Sequence, residues 1–153
     1  MQVVHYAAEG WGVGELWFDD GLPVWHELPA PRRALERTGR APELAQRIAS
    51  YFGGERVTFD DVEIDLEWCT PLQAAIAEAL RRVPYGETVT YGELAALAGR
   101  PNAPRAGGAF CSQNRLPLIL PCHRVVAAGG IGGYGSLGVE YKRRLLELEG
   151  AAL

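Results

Sequence analysis

The chain has 153 residues, 48% of them hydrophobic, and a formal net charge of −4. That length holds one compact domain or two small ones, and the composition carries no signature of disorder. No apolar run nears the ~20 residues that cross a bilayer, and no basic-then-apolar leader opens the chain, so a cytoplasmic protein without a membrane partner is expected.

Three strands are expected first. Residues 3–7, 12–18 and 22–28 are separated by Glu9-Gly10 and by Asp19-Asp20-Gly21. Asp-Gly between apolar runs is a hairpin signal. A break at Pro29-Ala30-Pro31 precedes a helix over 42–52, where apolar residues recur at helical spacing until Gly53-Gly54. The acidic stretch 60–67 alternates like an exposed strand or an extended linker, and the division into domains 1–67 and 68–153 is placed there.

The second part reads as helical. Thr70-Pro71 opens a helix with Thr70 at N-cap and Pro71 at N1. It runs to Val83 and stops at Pro84-Tyr85-Gly86. Thr90-Tyr91-Gly92-Glu93 is a capping box that opens a short helix over 91–98, closed by Gly99. A turn through Arg100-Pro101-Asn102 leads to a further helix starting near Ala103-Pro104-Arg105. Two helices joined by a short Gly-containing turn make either a DNA-binding helix-turn-helix or an ordinary helical hairpin. Asn114, read alone, is a helix C-cap.

Charge divides along the chain. Residues 1–80 hold six arginines against fourteen carboxylates, a net of −8; residues 81–153 hold eight arginines and Lys142 against five carboxylates, a net of +4. A polyanion would meet the C-terminal half. Cys69, Cys111 and Cys122 lack C-x-x-C spacing and a nearby His pair, so no metal site is expected. Cys122 adjoins His123 in Leu120-Pro121-Cys122-His123-Arg124-Val125, behind the apolar run 116–120. An imidazole is the usual group that takes a thiol's proton, often through water. The bland alternative is a buried, inert cysteine. The run Gly129-Gly130-Ile131-Gly132-Gly133 has neither Gly-Lys-Ser/Thr nor G-x-G-x-x-G, so a bound nucleotide cofactor is not expected.

Taken in order, these residues resemble the O6-alkylguanine-DNA alkyltransferases. The markers are Val83-Pro84-Tyr85-Gly86-Glu87-Thr88 with Tyr91, then Arg105-Ala106, Asn114, Pro121-Cys122-His123-Arg124-Val125-Val126, Gly132-Gly133-Tyr134-Gly135, and Lys142 with Leu145-Leu146-Glu147-Leu148-Glu149-Gly150. The resemblance implies an α/β N-terminal domain with a small antiparallel sheet (RNase H-like). A mainly α C-terminal domain with a winged-helix-like helix-turn-helix would follow it. It implies a monomer, free of cofactors, acting on double-stranded DNA through the minor groove. The substrate would be O6-alkylguanine, with O4-alkylthymine as a second candidate, flipped out of the duplex. Cys122 would accept the alkyl group irreversibly, His123 would deprotonate it through a water, Glu149 would orient His123, and Asn114 would brace the Cys122 turn. Arg105 would fill the space left by the base, and Tyr91 would press on the phosphate. Ala103 and Ala106, with Gly107 and Gly108, would let the helix approach the groove. Val125, Tyr134 and either Gly135 or Ser136 would form the guanine pocket. The alternative from the same resemblance is an alkyltransferase-like protein that binds the lesion without transfer. Those relatives replace the acceptor cysteine, so Cys122 favours transfer. Without the resemblance, Glu149 reads as a surface carboxylate.

Overall fold

The computed structural model describes residues 1–36 and 41–153. It separates into two compact units, Met1–Asp65 with Arg115–Pro117, and Leu66–Asn114 with Leu118–Leu153. The segment 115–117 therefore belongs with the first unit, although 114 and 118 belong to the second.

In the first unit β1 (Gln2–Ala8), β2 (Gly12–Asp19) and β3 (Leu22–Ala30) form an antiparallel sheet in the order β1-β2-β3. The β2–β3 turn places Asp20 at φ 51° and Gly21 at φ 81°. Both central residues are left-handed, which matches the right-handed twist of the flanking strands. One face of the sheet carries Tyr6, Leu16, Phe18 and Leu28, all buried. Against it packs α1 (Glu43–Phe52), whose Leu44, Ile48, Tyr51 and Phe52 lie on one stripe. Residues 62–66 form no ladder, so the acidic stretch is not a strand.

The second unit begins with α2 (Pro71–Arg81), opened by a full capping box between Thr70 and Gln73. The two-residue strand β4 (Val89–Thr90) leads into α3 (Tyr91–Leu97), capped by Thr90 and Glu93 and ended by Gly99 at φ 78°. Helix α4 (Pro104–Gln113) has Pro104 at its first position, where the missing N–H costs nothing. It packs on α3 and α2 through Gly107 and Phe110, both buried, and Phe110 stacks on Trp68 at 5.9 Å between ring centroids. A Cβ on Gly107 would lie 3.3 Å from Leu94 Cδ2. This glycine serves the approach of α4 to α3 and is not free to serve a groove. Strand β5 (Val125–Val126) pairs in parallel with β4, and α5 (Val139–Leu148) closes the unit. No helix among the described residues is long and apolar enough to cross a membrane.

Candidate active site

Cys122 is delivered by a tightly specified loop. Asn114 caps α4, and its Nδ2 donates to Leu120 O at 2.8 Å. The chain then makes one 3-10 turn over Cys122–Arg124, with Cys122 N donating to Leu120 O (2.7 Å) and Arg124 N to Pro121 O (3.0 Å). Val125 and Val126 leave that turn as β5, opposite Val89 and Thr90. Cys122 thus lies at the end of the parallel pair where both strands begin. Its side chain is buried, with 5% of the residue exposed.

His123 is wholly buried, and its Nε2 lies 2.6 Å from Glu149 Oε2. Glu149 caps α5 and is itself buried. Arg124 donates to both its oxygens, Nε to Oε1 at 2.9 Å and Nη2 to Oε2 at 3.1 Å. Gly86 N donates to Oε1 at 3.0 Å. Gly86 sits at φ 80° and so turns its N–H toward the carboxylate, at a position L side chains disfavour. Arg124 is held in turn by Val83 O at 2.8 Å, with its guanidinium 5.8 Å above the Tyr85 ring.

This network assigns the histidine tautomer. A carboxylate that receives four hydrogen bonds is ionised, so Nε2 carries the ring hydrogen and donates it to Glu149. Nδ1 is left with its lone pair and has no hydrogen-bond partner among the described residues. It is the basic atom of the site, next in sequence to the thiol. Burial would raise the Glu149 carboxyl, but the hydrogen bonds from His123 and Arg124 and the Arg124 charge outweigh burial and hold it well below the usual carboxylate range. Burial lowers His123, against the pull of Glu149, so the ring is neutral near pH 7. Burial pushes the Cys122 thiol up, while hydrogen bonds from Asn114 and Tyr134 and the charge of Lys142 oppose it. The resting group is therefore a thiol surrounded by groups that favour its anion.

The wall opposite is built around Lys142, the chain's lone lysine, which is fully buried. Its Nζ donates to Val125 O at 2.6 Å and Gly133 O at 3.2 Å, tying β5 to the glycine loop. Tyr134 Oη lies 3.9 Å from Cys122 Sγ, and the Tyr134 ring stacks on Tyr141. Gly135 and Ser136 begin the exposed turn that follows. Tyr91 is the first residue of α3 and half-buried, its ring against Gly107 and Gly108 of α4. Ala103 is the N-cap of α4, Arg105 is exposed in its first turn, and Ala106 is half-buried beside it.

The structure thus brings Cys122, His123, Glu149 and Asn114 together, with Val125 and Tyr134 around them. Arg105, Ala103 and Ala106 stand apart at the start of α4. Sequence reasoning assigned no role to Arg124, Gly86 or Lys142, although all three lie within the quoted motifs. Their signal was a charged residue inside an apolar motif, or a glycine ending a turn, and neither names a partner.

A family model described as the 6-O-methylguanine DNA methyltransferase DNA-binding domain matches residues 71–151. The chain belongs to the methylated-DNA–protein-cysteine methyltransferase family. The member from Metallosphaera sedula is 44% identical over 110 residues, which cover 72% of this chain and 68% of that one. The member from Methanothermobacter thermautotrophicus is 35% identical over 145 residues, 92% of this chain and 81% of that one. The Mycobacterium tuberculosis protein OGT, solved in complex with DNA, is similar with a TM-score of 0.80 at 34% identity, covering 98% of this chain and 93% of that one. The family's two-part architecture of a small antiparallel sheet and helices is the one described above. Its members are DNA-binding S-methyltransferases of DNA repair, and the present chain is an enzyme of that class.

Proposed function

We propose that this methyltransferase repairs O6-alkylguanine in double-stranded DNA by moving the alkyl group to Cys122, once per chain. The observation that carries this reading is the buried run Cys122–His123–Glu149, with an ionised carboxylate on one ring nitrogen of His123 and a lone pair on the other. The Cys122 proton passes to His123 Nδ1 through a water. The thiolate attacks the alkyl carbon in line, the S–C bond forms as the C–O6 bond breaks, and guanine leaves as its anion and takes up a proton. The product is a thioether, which has no easy leaving path, so the reaction ends there. Polar backbone groups near Cys122 and Val125, the Tyr134 ring and the turn at Gly135 and Ser136 form the guanine pocket.

An alkyl carbon on O6 is out of reach inside a duplex, so the nucleotide is extruded. Arg105 fills the vacated space and Tyr91 presses on the backbone. In this reading residues 68–153 carry both DNA binding and the acceptor, with α3 and α4 as a winged-helix-like helix-turn-helix entering the minor groove. Residues 1–67 form an RNase H-like domain, and the protein works as a monomer in the cytoplasm. A groove whose readout is degenerate suits repair, which must ignore sequence. The alternative, lesion binding without transfer, is disfavoured by the presence of Cys122 beside a poised base.

Intact-mass measurement after incubation with duplex DNA carrying O6-methylguanine tests the reading. One methyl group per chain is expected, on the peptide containing Cys122 and on neither Cys69 nor Cys111. Methyl groups spread over the three thiols, or continued turnover, contradict it. Cys122→Ala is expected to bind the lesion and transfer nothing.

A further inference from the structure

Apart from the hairpin residue Asp20, Leu118 is the only non-glycine among the described residues with a positive φ, at 76°. It is buried, and it lies four residues before Cys122. A leucine stays in the left-handed region only where its surroundings over-determine it. Two hydrogen bonds flank it, one on each side. Beyond Leu118, the Leu120 carbonyl accepts from Asn114. Before it, the Pro117 carbonyl accepts from His26 Nδ1–H at 2.7 Å.

His26 lies on β3, and its backbone N also donates, to Arg115 O at 2.9 Å. The segment 115–117 therefore hangs on β3 by two hydrogen bonds from one residue. The His26 ring is 2% exposed, and the Tyr6 hydroxyl donates to its Nε2 at 2.7 Å. With Nε2 accepting, Nδ1 must carry the hydrogen that Pro117 receives. Tyr6 pairs across the sheet with Gly14, and the Tyr6 ring fills the space a Cβ there would need. Gly14, Tyr6, His26 and Pro117 thus form one chain of dependence. Burial depresses His26 to about 4, which keeps the ring neutral and this tautomer populated.

We propose that His26 is a positioning residue for alkyl transfer: by holding the Pro117 carbonyl it keeps Leu118 left-handed and sets the loop that presents Cys122. The inference rests on Cys122 being the acceptor.

The test compares His26→Leu, His26→Asn and Tyr6→Phe with the parent chain, using free O6-benzylguanine so that DNA binding does not enter. Rates are taken well below each variant's melting temperature. In His26→Asn an amide N–H replaces the Nδ1 donor; in His26→Leu nothing does. Tyr6→Phe removes a single oxygen. Thioether formation is expected to slow about tenfold or more in His26→Leu and about threefold in Tyr6→Phe, and to return to within about threefold of the parent in His26→Asn. All three variants should melt lower. Amide exchange at 118–122 should quicken in the two variants that lose or misorient the donor. If His26 only supports the fold, melting falls in every variant while the folded protein reacts at the parent rate, and that result overturns the inference. Should His26→Leu fail to fold, an unchanged rate in Tyr6→Phe overturns it alone. A parent chain that leaves Cys122 unalkylated would instead remove the acceptor reading beneath it.

Discussion

Four donors converge on the buried Glu149 carboxylate, and only one of them belongs to the histidine it orients. Arg124 carries the balancing charge. Replacing Glu149 by Gln leaves that guanidinium buried and unpaired, and puts an amide where only acceptors fit. Breaking a buried pair in this way costs about 3 kcal/mol or more. Glu149→Gln is expected to lose that much stability in urea unfolding, and to slow transfer to Cys122 with both free base and DNA. The pH sign follows from the depressed folded value. The Glu149 contribution is present above the ordinary carboxylate range and is lost as pH falls toward the folded value. The parent chain should therefore lose stability more steeply than Glu149→Gln on acidification below about pH 4. Arg124→Lys should also slow transfer, because a single ammonium cannot hold both carboxylate oxygens.

At the level of elements, the start of α3 joins stability to the role proposed for Tyr91. The capping box of Thr90 and Glu93 fixes the first turn, and that turn carries Tyr91. Thr90→Ala removes one cap and is expected to cost about 1 kcal/mol in unfolding free energy. The strand β3 makes a second prediction. Burial first, and the Arg33 charge against the pull of Pro117, bring His26 from 6.5 to about 4. Between those values the unfolded chain binds more protons than the folded one, so stability rises with pH there and levels off above about 6.5. The rise amounts to about 3 kcal/mol at most. Urea midpoints measured from pH 4 to pH 7 should show the rise in the parent and lose it in His26→Asn.

For the whole molecule the relevant quantity is the ratio of two rates, with duplex DNA and with free base. Arg105 is exposed in the first turn of α4, apart from the Cys122–His123–Glu149 network. Its loss should leave reaction with free O6-benzylguanine nearly intact and slow duplex repair by roughly ten- to a thousandfold, since unstacking a base costs a few kcal/mol. An unmoved ratio would make Arg105 a solvated cation only. Binding to undamaged duplex should be independent of sequence and should weaken as salt rises, because phosphate contacts release counterions.

Much of this molecule is written in local chemistry. Asp20-Gly21 makes the β2–β3 turn, Thr70-Pro71 and Thr90-Glu93 open their helices, and Gly99 closes α3. Each such signal acts within a few residues, so its outcome does not depend on the rest of the fold. The order of the motifs, together with Cys122 beside His123, is likewise enough to place the family. What the sequence could not state was partnership over distance. Glu149 reads as a surface carboxylate on the last helix, close to Glu147, yet its partners lie 25, 26 and 63 residues away and bury it. Gly107 reads as a small residue for a groove, yet Leu94 already occupies its free side. The two-residue strands β4 and β5 are too short to leave a pattern and exist only as each other's partner. The segment 115–117 joins the sheet through His26, 91 residues from Pro117, and no periodicity records such a bond. Burial and the pairing of buried polar groups are properties of the packed chain, and only the tertiary structure decides them.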